Sequence, residues 1–106
     1  MEQLDLKNTV ELMCSKDYKE RFIAEYLQTK IRYEKLKKFN TKIEVARELN
    51  CGDTNPDRSI LKEKYEEPIH DCPAYTLKEQ QRIMGEYLHL LEVRAEMEDI
   101  SLPGIF

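Results

Sequence analysis

The side chains best suited to ligand binding in this 106-residue chain are tyrosines that alternate with basic residues in one short segment. Flat aromatic rings stack on nucleobases, while lysine and arginine neutralise phosphates, so this combination is the chemistry of a nucleotide site. The candidate binding residues are Tyr18, Tyr26, Lys30, Arg32, Tyr33 and Lys35.

A second interpretation of the same tyrosines remains open. Tyr26 and Tyr33 also lie at helical spacing within an apolar stripe, where they would be core residues with their hydroxyls at the rim. Tyr18 precedes that stripe and is the strongest candidate for a ligand contact.

The residues that could support metal binding or catalysis are sparse. Cys51, His70 and Cys72 are clustered, but structural zinc sites need four ligands with paired short spacings. The three glycines do not form a phosphate-binding loop, and His89 falls on a packed helical pattern. We therefore expect free cysteine thiols, no metal, no cofactor and no enzymatic activity.

Two long helices are expected to position the tyrosines and basic residues. The first helix runs from about residue 15 to about residue 39, with Ser15 as a plausible N-cap. Apolar positions recur along it at spacings of three and four: Phe22, Tyr26, Thr29, Tyr33 and Leu36, with Ile23, Leu27 and Ile31 beside them. The second helix runs from about residue 74 to about residue 99, begins after Pro73 and contains Gly85, which indicates a close helix approach. Two neighbouring apolar stripes follow this second helix: one consists of Met84, Leu88, Leu91 and Ala95, and the other of Ile83, Tyr87, Leu90 and Met97.

The remaining segments are shorter. Residues 4–13 predict a short leading helix, and residues 40–73 form a connector in which 41–49 either extend the first helix or form a separate one. No internal repeat is apparent.

The sequence predicts a single all-α domain, 1–106, consisting of an antiparallel helical hairpin with a short leading helix. Because two helices leave apolar surface exposed, we expect a compact homo-oligomer.

Composition and charge restrict the class of partner. With 41% apolar and 36% charged residues, the chain is too hydrophobic for disorder and too charged to span a membrane, and its acidic beginning does not resemble a signal peptide. Residues 16–38 hold 8 basic and 4 acidic side chains, a net +4, so the rest of this −4 protein carries −8. A local basic segment suits a small anionic ligand better than duplex nucleic acid.

Two stretches of the sequence resemble a family of small helical phage proteins that includes the second type of anti-CBASS protein, a cyclic-oligonucleotide sponge. They are DYKERFIAEYLQTKIRYEKLKKF, residues 17–39, and CPAYTLKEQQRIMGEYLHLLEVRAEMEDI, residues 72–100. The matching positions are Arg21, Glu25 and Leu36 in the first stretch, and Leu77, Gln80 or Gln81, Met84, Tyr87, Leu91, Glu92 and Arg94 in the second.

The resemblance implies a homo-oligomer, expected to be a hexamer, that sequesters cyclic di- or trinucleotides such as cyclic GMP–AMP without cleaving them. Such a protein blocks CBASS effector activation in the cytoplasm of the infected bacterial host. Tyr18 matches the family's pocket aromatic, and Arg32 falls near its basic residue, with Lys30, Tyr33 and Lys35 beside it.

Helix geometry bears on how such a pocket is built. Tyr18 and Arg32 would lie about 21 Å apart on one helix, so two chains must contribute if both residues line one pocket.

The alternative to a nucleotide-sequestering function is a helical structural or interaction protein that binds a host or phage protein partner.

Overall fold

The computed structural model of the protein describes residues 6–50 and 66–103. This part of the chain contains a 3-10 helix, Leu6–Thr9, and three α-helices: α1, Val10–Met13; α2, Tyr18–Asn50; and α3, Ala74–Met97. No strand occurs within these residues, which confirms the all-α prediction for them. None of these helices combines the length and apolar character needed to cross a bilayer.

The chain divides into two compact units. The first unit combines Met1–Glu34 with Arg82–Phe106, and the second unit is Lys35–Gln81. Both α2 and α3 contribute residues to each unit.

Helix α2 begins at Tyr18 because Asp17, rather than the expected Ser15, caps it. The Asp17 carboxylate accepts a hydrogen bond of 3.0 Å from the Lys19 amide, as an N-cap does. Ser15 stabilises the turn that precedes the helix. Its Oγ accepts a hydrogen bond of 3.0 Å from the Asp17 amide and donates one of 3.1 Å to the Glu20 carboxylate.

Helix α2 continues beyond Phe39, the predicted end of the first helix, as far as Asn50. Neither glycine nor proline interrupts this stretch, and the first glycine follows at position 52. Asn40, a residue type that often ends helices, is buried, and its Nδ2 donates to the Leu77 carbonyl at 3.1 Å and to Gln81 at 2.9 Å. These bonds join α2 to α3 within the second unit.

Within the first unit, α2 and α3 pack in antiparallel orientation. Tyr26 contacts Glu92, and Tyr18, two turns earlier on α2, contacts Glu98, which lies later on α3. The apolar core between the helices is formed by Phe22, Tyr26, Leu27, Leu88, Leu91, Ala95 and Ile100.

The other apolar face of α3 is exposed in this chain. The side chains of Ile83, Tyr87, Leu90 and Met97, hereafter the outer stripe, are between 41% and 81% accessible to solvent. Leu88 and Leu91 occupy the adjacent face and are buried in the core against α2. A single neighbouring helix covers only one side of α3, so Ile83, Leu90 and Met97 stay exposed in this chain, while the Tyr87 hydroxyl reaches Glu25 of α2.

Helix α3 ends two residues before the predicted boundary, at Met97. Asp99 adopts a left-handed conformation with φ of 56°, and the Ile100 amide donates to the Ala95 carbonyl at 2.8 Å. This is the hydrogen bond of a Schellman motif, and Ile100 then packs into the core.

The predicted leading helix is a 3-10 turn followed by one α-helical turn. Its fully buried residue is Thr9, whose hydroxyl donates to the Leu6 carbonyl at 2.7 Å and accepts from Gln28 Nε2 at 2.9 Å. Val10 and Met13 of this segment are about half exposed.

Candidate ligand-binding site

An open cleft of about 380 Å³ lies in the first unit. It is formed by the end of α1, the first turns of α2 and the last turns of α3, which antiparallel packing brings together. The residues lining it are Met13, Tyr18, Arg21, Phe22, Glu25, Gln28 and Arg94.

Tyr18 presents an exposed aromatic ring at this cleft. The ring centroid lies 6.3 Å from that of Phe22. Its hydroxyl donates to Glu98 at 2.9 Å and accepts a hydrogen bond from Arg94. The hydrogen bond to Glu98 raises the pKa of Tyr18 above its usual value.

Arg94 places a cation next to this ring. Its guanidinium carbon lies 4.9 Å from the centre of the Phe22 ring, and its Nε donates to Glu98 at 3.1 Å. Glu98 also raises the pKa of Arg94, chiefly through this hydrogen bond. A guanidinium that stacks on an aromatic ring is oriented for contacts with phosphate or with a base.

Arg21 and Glu25, which lie on α2 with Tyr18, also line the cleft. Arg21 donates to the Ser15 carbonyl at 2.8 Å, which ties its guanidinium to the turn before α2. The Glu25 carboxylate accepts a hydrogen bond from the Tyr87 hydroxyl, and this bond raises the pKa of Tyr87. The cleft thus contains two guanidinium groups, two aromatic rings and one carboxylate.

Tyr26 belongs to the core. Its ring is buried, its hydroxyl donates to Glu92 at 3.1 Å, and burial raises its pKa to about 12. This placement corresponds to the core interpretation that the sequence left open for Tyr26.

The other candidate binding residues lie further along α2. Lys30 forms an ion pair of 3.1 Å with Glu34 and lies 5.8 Å from the centre of the half-buried Tyr33 ring. Arg32 is exposed, and at fourteen positions from Tyr18 on one continuous helix it lies about 21 Å away along the axis. Lys35 is exposed and belongs to the second unit. The structure therefore does not bring Arg32 to the Tyr18 cleft of the same chain.

Sequence reasoning missed Arg94 as a cleft residue. Arg94 was one of the matching positions in the resemblance, but its 76-residue separation from Tyr18 concealed their contact. The signal that could have found it is the antiparallel register of the two helices, which pairs the start of α2 with the end of α3.

A separate cluster in the second unit, hereafter the clasp, consists of Arg47, Glu67 and His70. Arg47 binds the Glu67 carboxylate through Nε at 2.7 Å and through Nη2 at 3.1 Å. His70 Nε2 lies 2.7 Å from the same carboxylate, and its Nδ1 lies 2.6 Å from the Cys72 carbonyl oxygen. Hydrogen bonds from Arg47 and then His70 lower the pKa of Glu67 to about 2, and Glu67 in turn raises the pKa of His70.

In this arrangement both ring nitrogens of His70 have a partner. His70 is the histidine that the sequence places near Cys51 and Cys72 as a potential metal ligand. No group of three or more potential metal ligands occurs within 6–50 and 66–103. Cys14 and Cys72 are free thiols, while Cys51 lies outside the described residues.

The described residues define a small all-helical protein with an aromatic and arginine-lined cleft in its first unit. The Sequestin family model matches residues 16–54 and 58–97, which together exceed half of the chain, and the protein belongs to the Sequestin family. No curated protein and no solved structure matches the chain.

The family match spans two repeats, so the expectation of no internal repeat was wrong. A shared motif is visible in both long helices: RFIAEYL at 21–27 and RIMGEYL at 82–88. The two copies have different surroundings, since Tyr26 of the first is buried and Tyr87 of the second is exposed. The repeat escaped notice because the surrounding residues differ.

Proposed function

We propose that this Sequestin is a phage anti-defence protein that binds cyclic di- or trinucleotide second messengers and sequesters them without cleavage. Removal of the messenger, with cyclic GMP–AMP as one example, would prevent activation of CBASS effectors. The site of action is the cytoplasm of the infected bacterial host, where such messengers are made.

The observation that carries the proposal is that Tyr18, Arg21 and Arg94 line one cleft. An exposed aromatic ring stacks on a base, and two guanidinium groups form charge-assisted hydrogen bonds with phosphates. The family name denotes sequestration, which is a non-catalytic role, and this supports retention rather than turnover of the ligand.

We further propose that a second copy of the chain completes the site. The outer stripe supports self-association, because contiguous exposed apolar residues mark interaction surfaces. Arg32 reaches a ligand at Tyr18 only from a neighbouring copy, and Lys30, Tyr33 and Lys35 lie close to Arg32 in sequence on the same helix. A closed homo-oligomer such as a hexamer would contain several equivalent sites.

The alternative function is a helical structural or interaction protein that binds a host or phage protein. The same outer stripe favours it, since an apolar helix face also accepts a foreign helix. In that case the cleft residues would serve stability, and cyclic nucleotides would not bind.

Isothermal titration of the purified protein with a panel of cyclic di- and trinucleotides separates these two functions. We expect saturable binding of at least one ligand and its intact recovery, by mass spectrometry, after heat denaturation of the complex. Recovery of only linear products would indicate a hydrolase. Absence of binding to the whole panel would contradict the sponge function and favour the interaction protein.

A further inference from the structure

Three members of the outer stripe repeat at intervals of seven residues along α3. The side chains of Ile83, Leu90 and Met97 are 51%, 59% and 81% exposed. Seven residues make nearly two turns of an α-helix, so these side chains follow one line along the helix. This is the spacing with which two helices pack side by side over several turns. The outer stripe therefore has the pattern of one half of a helix–helix seam.

The charged residues around the seam are arranged symmetrically about its central leucine. Basic and acidic residues stand eight and four positions before Leu90 and four and eight positions after it: Arg82, Glu86, Arg94 and Glu98. In a parallel pair of identical helices, each of these residues lies level with its own copy, so like charges oppose each other. Reversal of one helix about Leu90 instead brings Arg82 level with the partner's Glu98. The same reversal brings Glu86 level with the partner's Arg94. Charge complementarity therefore favours an antiparallel second copy.

The apolar side chains match in the same register. With one helix reversed about Leu90, Ile83 lies level with the partner's Met97, and each Leu90 lies opposite its own copy. Met97 is the most exposed of the three, and a flexible methionine adapts to the branched isoleucine opposite it. A two-fold axis through this point makes each contact occur twice, as in an isologous dimer.

We propose that the outer stripe of α3 binds the outer stripe of a second copy of this chain, in antiparallel orientation about a two-fold axis at Leu90. This inference rests on the self-association within the proposed function and not on the identity of the ligand. It goes further by stating which helix face forms the interface, in which direction the two helices run and which residues lie opposite each other.

The same two-fold axis supplies a basic residue to the cleft from the neighbouring copy. Within one chain, Tyr33 of α2 packs beside Gly85, and Tyr18 contacts Glu98. Reversal about Leu90 carries the level of Gly85 to position 95 of the other chain. The partner's Arg32 thus comes level with the end of the cleft that contains Tyr18. One symmetry operation therefore accounts for both the exposed stripe and the need for two chains at the site.

Disulfide cross-linking tests the orientation of the two helices. The three native cysteines are first replaced by serine, and the single variant Leu90→Cys is then oxidised. We expect a shift on a non-reducing gel from 12.7 kDa to twice that mass, because each position 90 faces its own copy. Tyr75→Cys is the matched control, since Tyr75 is exposed but lies in the second unit, and it should remain a single chain.

Two further cysteine variants distinguish an antiparallel pair from a parallel one. In the antiparallel pair the two copies of position 83 lie about 21 Å apart along the axis, so Ile83→Cys alone should not cross-link. A mixture of Ile83→Cys chains and Met97→Cys chains should cross-link, because these positions face each other. Cross-linking of Ile83→Cys alone would show a parallel pair and overturn the inference.

Reversal of one charge tests the register. Glu86→Arg places like charges opposite each other twice per dimer, so the dissociation constant of the dimer should rise by about 5- to 30-fold. Glu44→Arg is the matched control, because Glu44 is an exposed carboxylate of the second unit that pairs with Lys78 at 3.8 Å. An equal loss for the two variants would overturn the charge register. Analytical ultracentrifugation measures both constants.

The outcomes separate this inference from cyclic-nucleotide binding. A wild-type protein that stays monomeric over the whole concentration range overturns the inference and favours a foreign protein as the partner of the outer stripe. An oligomer in which Leu90→Cys does not cross-link overturns it as well, because another face then forms the interface. Titration with cyclic nucleotides reports on the proposed ligand in either case.

Discussion

Tyr18 and Glu98 are eighty positions apart in the sequence, and the Tyr18 hydroxyl donates a hydrogen bond of 2.9 Å to the Glu98 carboxylate. Glu98 also accepts from Arg94, which donates to the Tyr18 hydroxyl in turn. The three side chains therefore form a closed ring of hydrogen bonds that joins the start of α2 to the end of α3. This ring holds an exposed aromatic face and a guanidinium side by side before any ligand arrives.

Tyr18→Ala is expected to weaken cyclic-nucleotide binding by about 5- to 150-fold, through loss of one stacked base. Tyr18→Phe retains the ring but loses the hydrogen bonds to Glu98 and Arg94, so its loss should be smaller. Titration calorimetry of the three proteins with cyclic GMP–AMP measures the effect.

Tyr75→Ala is the matched control for Tyr18→Ala. Tyr75 is also an exposed tyrosine, but it belongs to the second unit and does not line the cleft. Equal losses for the two variants would show that the effect of Tyr18→Ala is unspecific.

The second prediction concerns which chain supplies each basic group. Arg94→Gln and Arg32→Gln should each weaken binding, Arg94 from the same chain as Tyr18 and Arg32 from a neighbouring copy. In oligomers assembled from mixed Tyr18→Ala and Arg32→Ala chains, some sites regain both wild-type residues, and calorimetry should detect partial recovery of binding. Complete lack of recovery in verified mixed oligomers would place Arg32 outside the site.

The helical fold was largely predictable from the sequence, because it follows from local patterns. The spacing of Phe22, Tyr26 and Leu27 on one helix, and of Leu88 and Leu91 on the other, identified residues that the structure buries. Helix ends were less predictable. Asp17 rather than Ser15 caps α2, and α2 passes through Asn40, whose side-chain Nδ2 donates to α3.

The candidate site was only partly predictable. Tyr18 was identified because it lies outside the apolar stripe, and the structure places it in the cleft. Its contacts with Arg94 and Glu98 depend on the register between two helices, which intrahelical periodicity does not specify. The assignment of ligand roles to Tyr18 and Arg32 stays a prediction.

The clasp in the second unit should make stability depend on pH in both directions. The pKa of Glu67 is lowered from 4.5 to about 2. Its ionised carboxylate therefore stabilises the folded state fully above pH 4.5, and this stabilisation is lost as the pH falls toward 2. His70 has its pKa raised above 6.5, so its contribution is present below pH 6.5 and is lost as pH rises through the raised value. The clasp should therefore be strongest between pH 4.5 and 6.5.

His70→Gln tests this dependence. The melting temperature of wild type should exceed that of the variant most at about pH 5.5, and the difference should shrink by about pH 8. Because the clasp lies at the surface, added salt should also reduce the difference. If the difference in melting temperature stays constant over this pH range, Glu67 does not raise the pKa of His70.

The two faces of α3 should respond differently to truncation. Leu88 is buried in the core of the first unit, so Leu88→Ala should lower the free energy of unfolding by roughly 2–5 kcal/mol. Leu90 is exposed on the outer stripe, so Leu90→Ala should weaken self-association instead. Chemical denaturation and multi-angle light scattering measure the two effects. A stable monomer of 12.7 kDa for wild type would contradict the oligomer.

Gly85 and Tyr33 should be energetically coupled, because a Cβ atom at position 85 would lie 3.3 Å from Tyr33 Cε1. Replacing glycine by alanine within a helix gains about 1 kcal/mol of helix propensity, but here the Tyr33 ring must move aside to accept the methyl group. Gly85→Ala alone should therefore gain little. In a Tyr33→Ala background the ring is absent, and the same change should recover the full gain of about 1 kcal/mol. A double-mutant cycle by chemical denaturation measures this difference, and strictly additive effects would show that Tyr33 does not pack against Gly85 in solution.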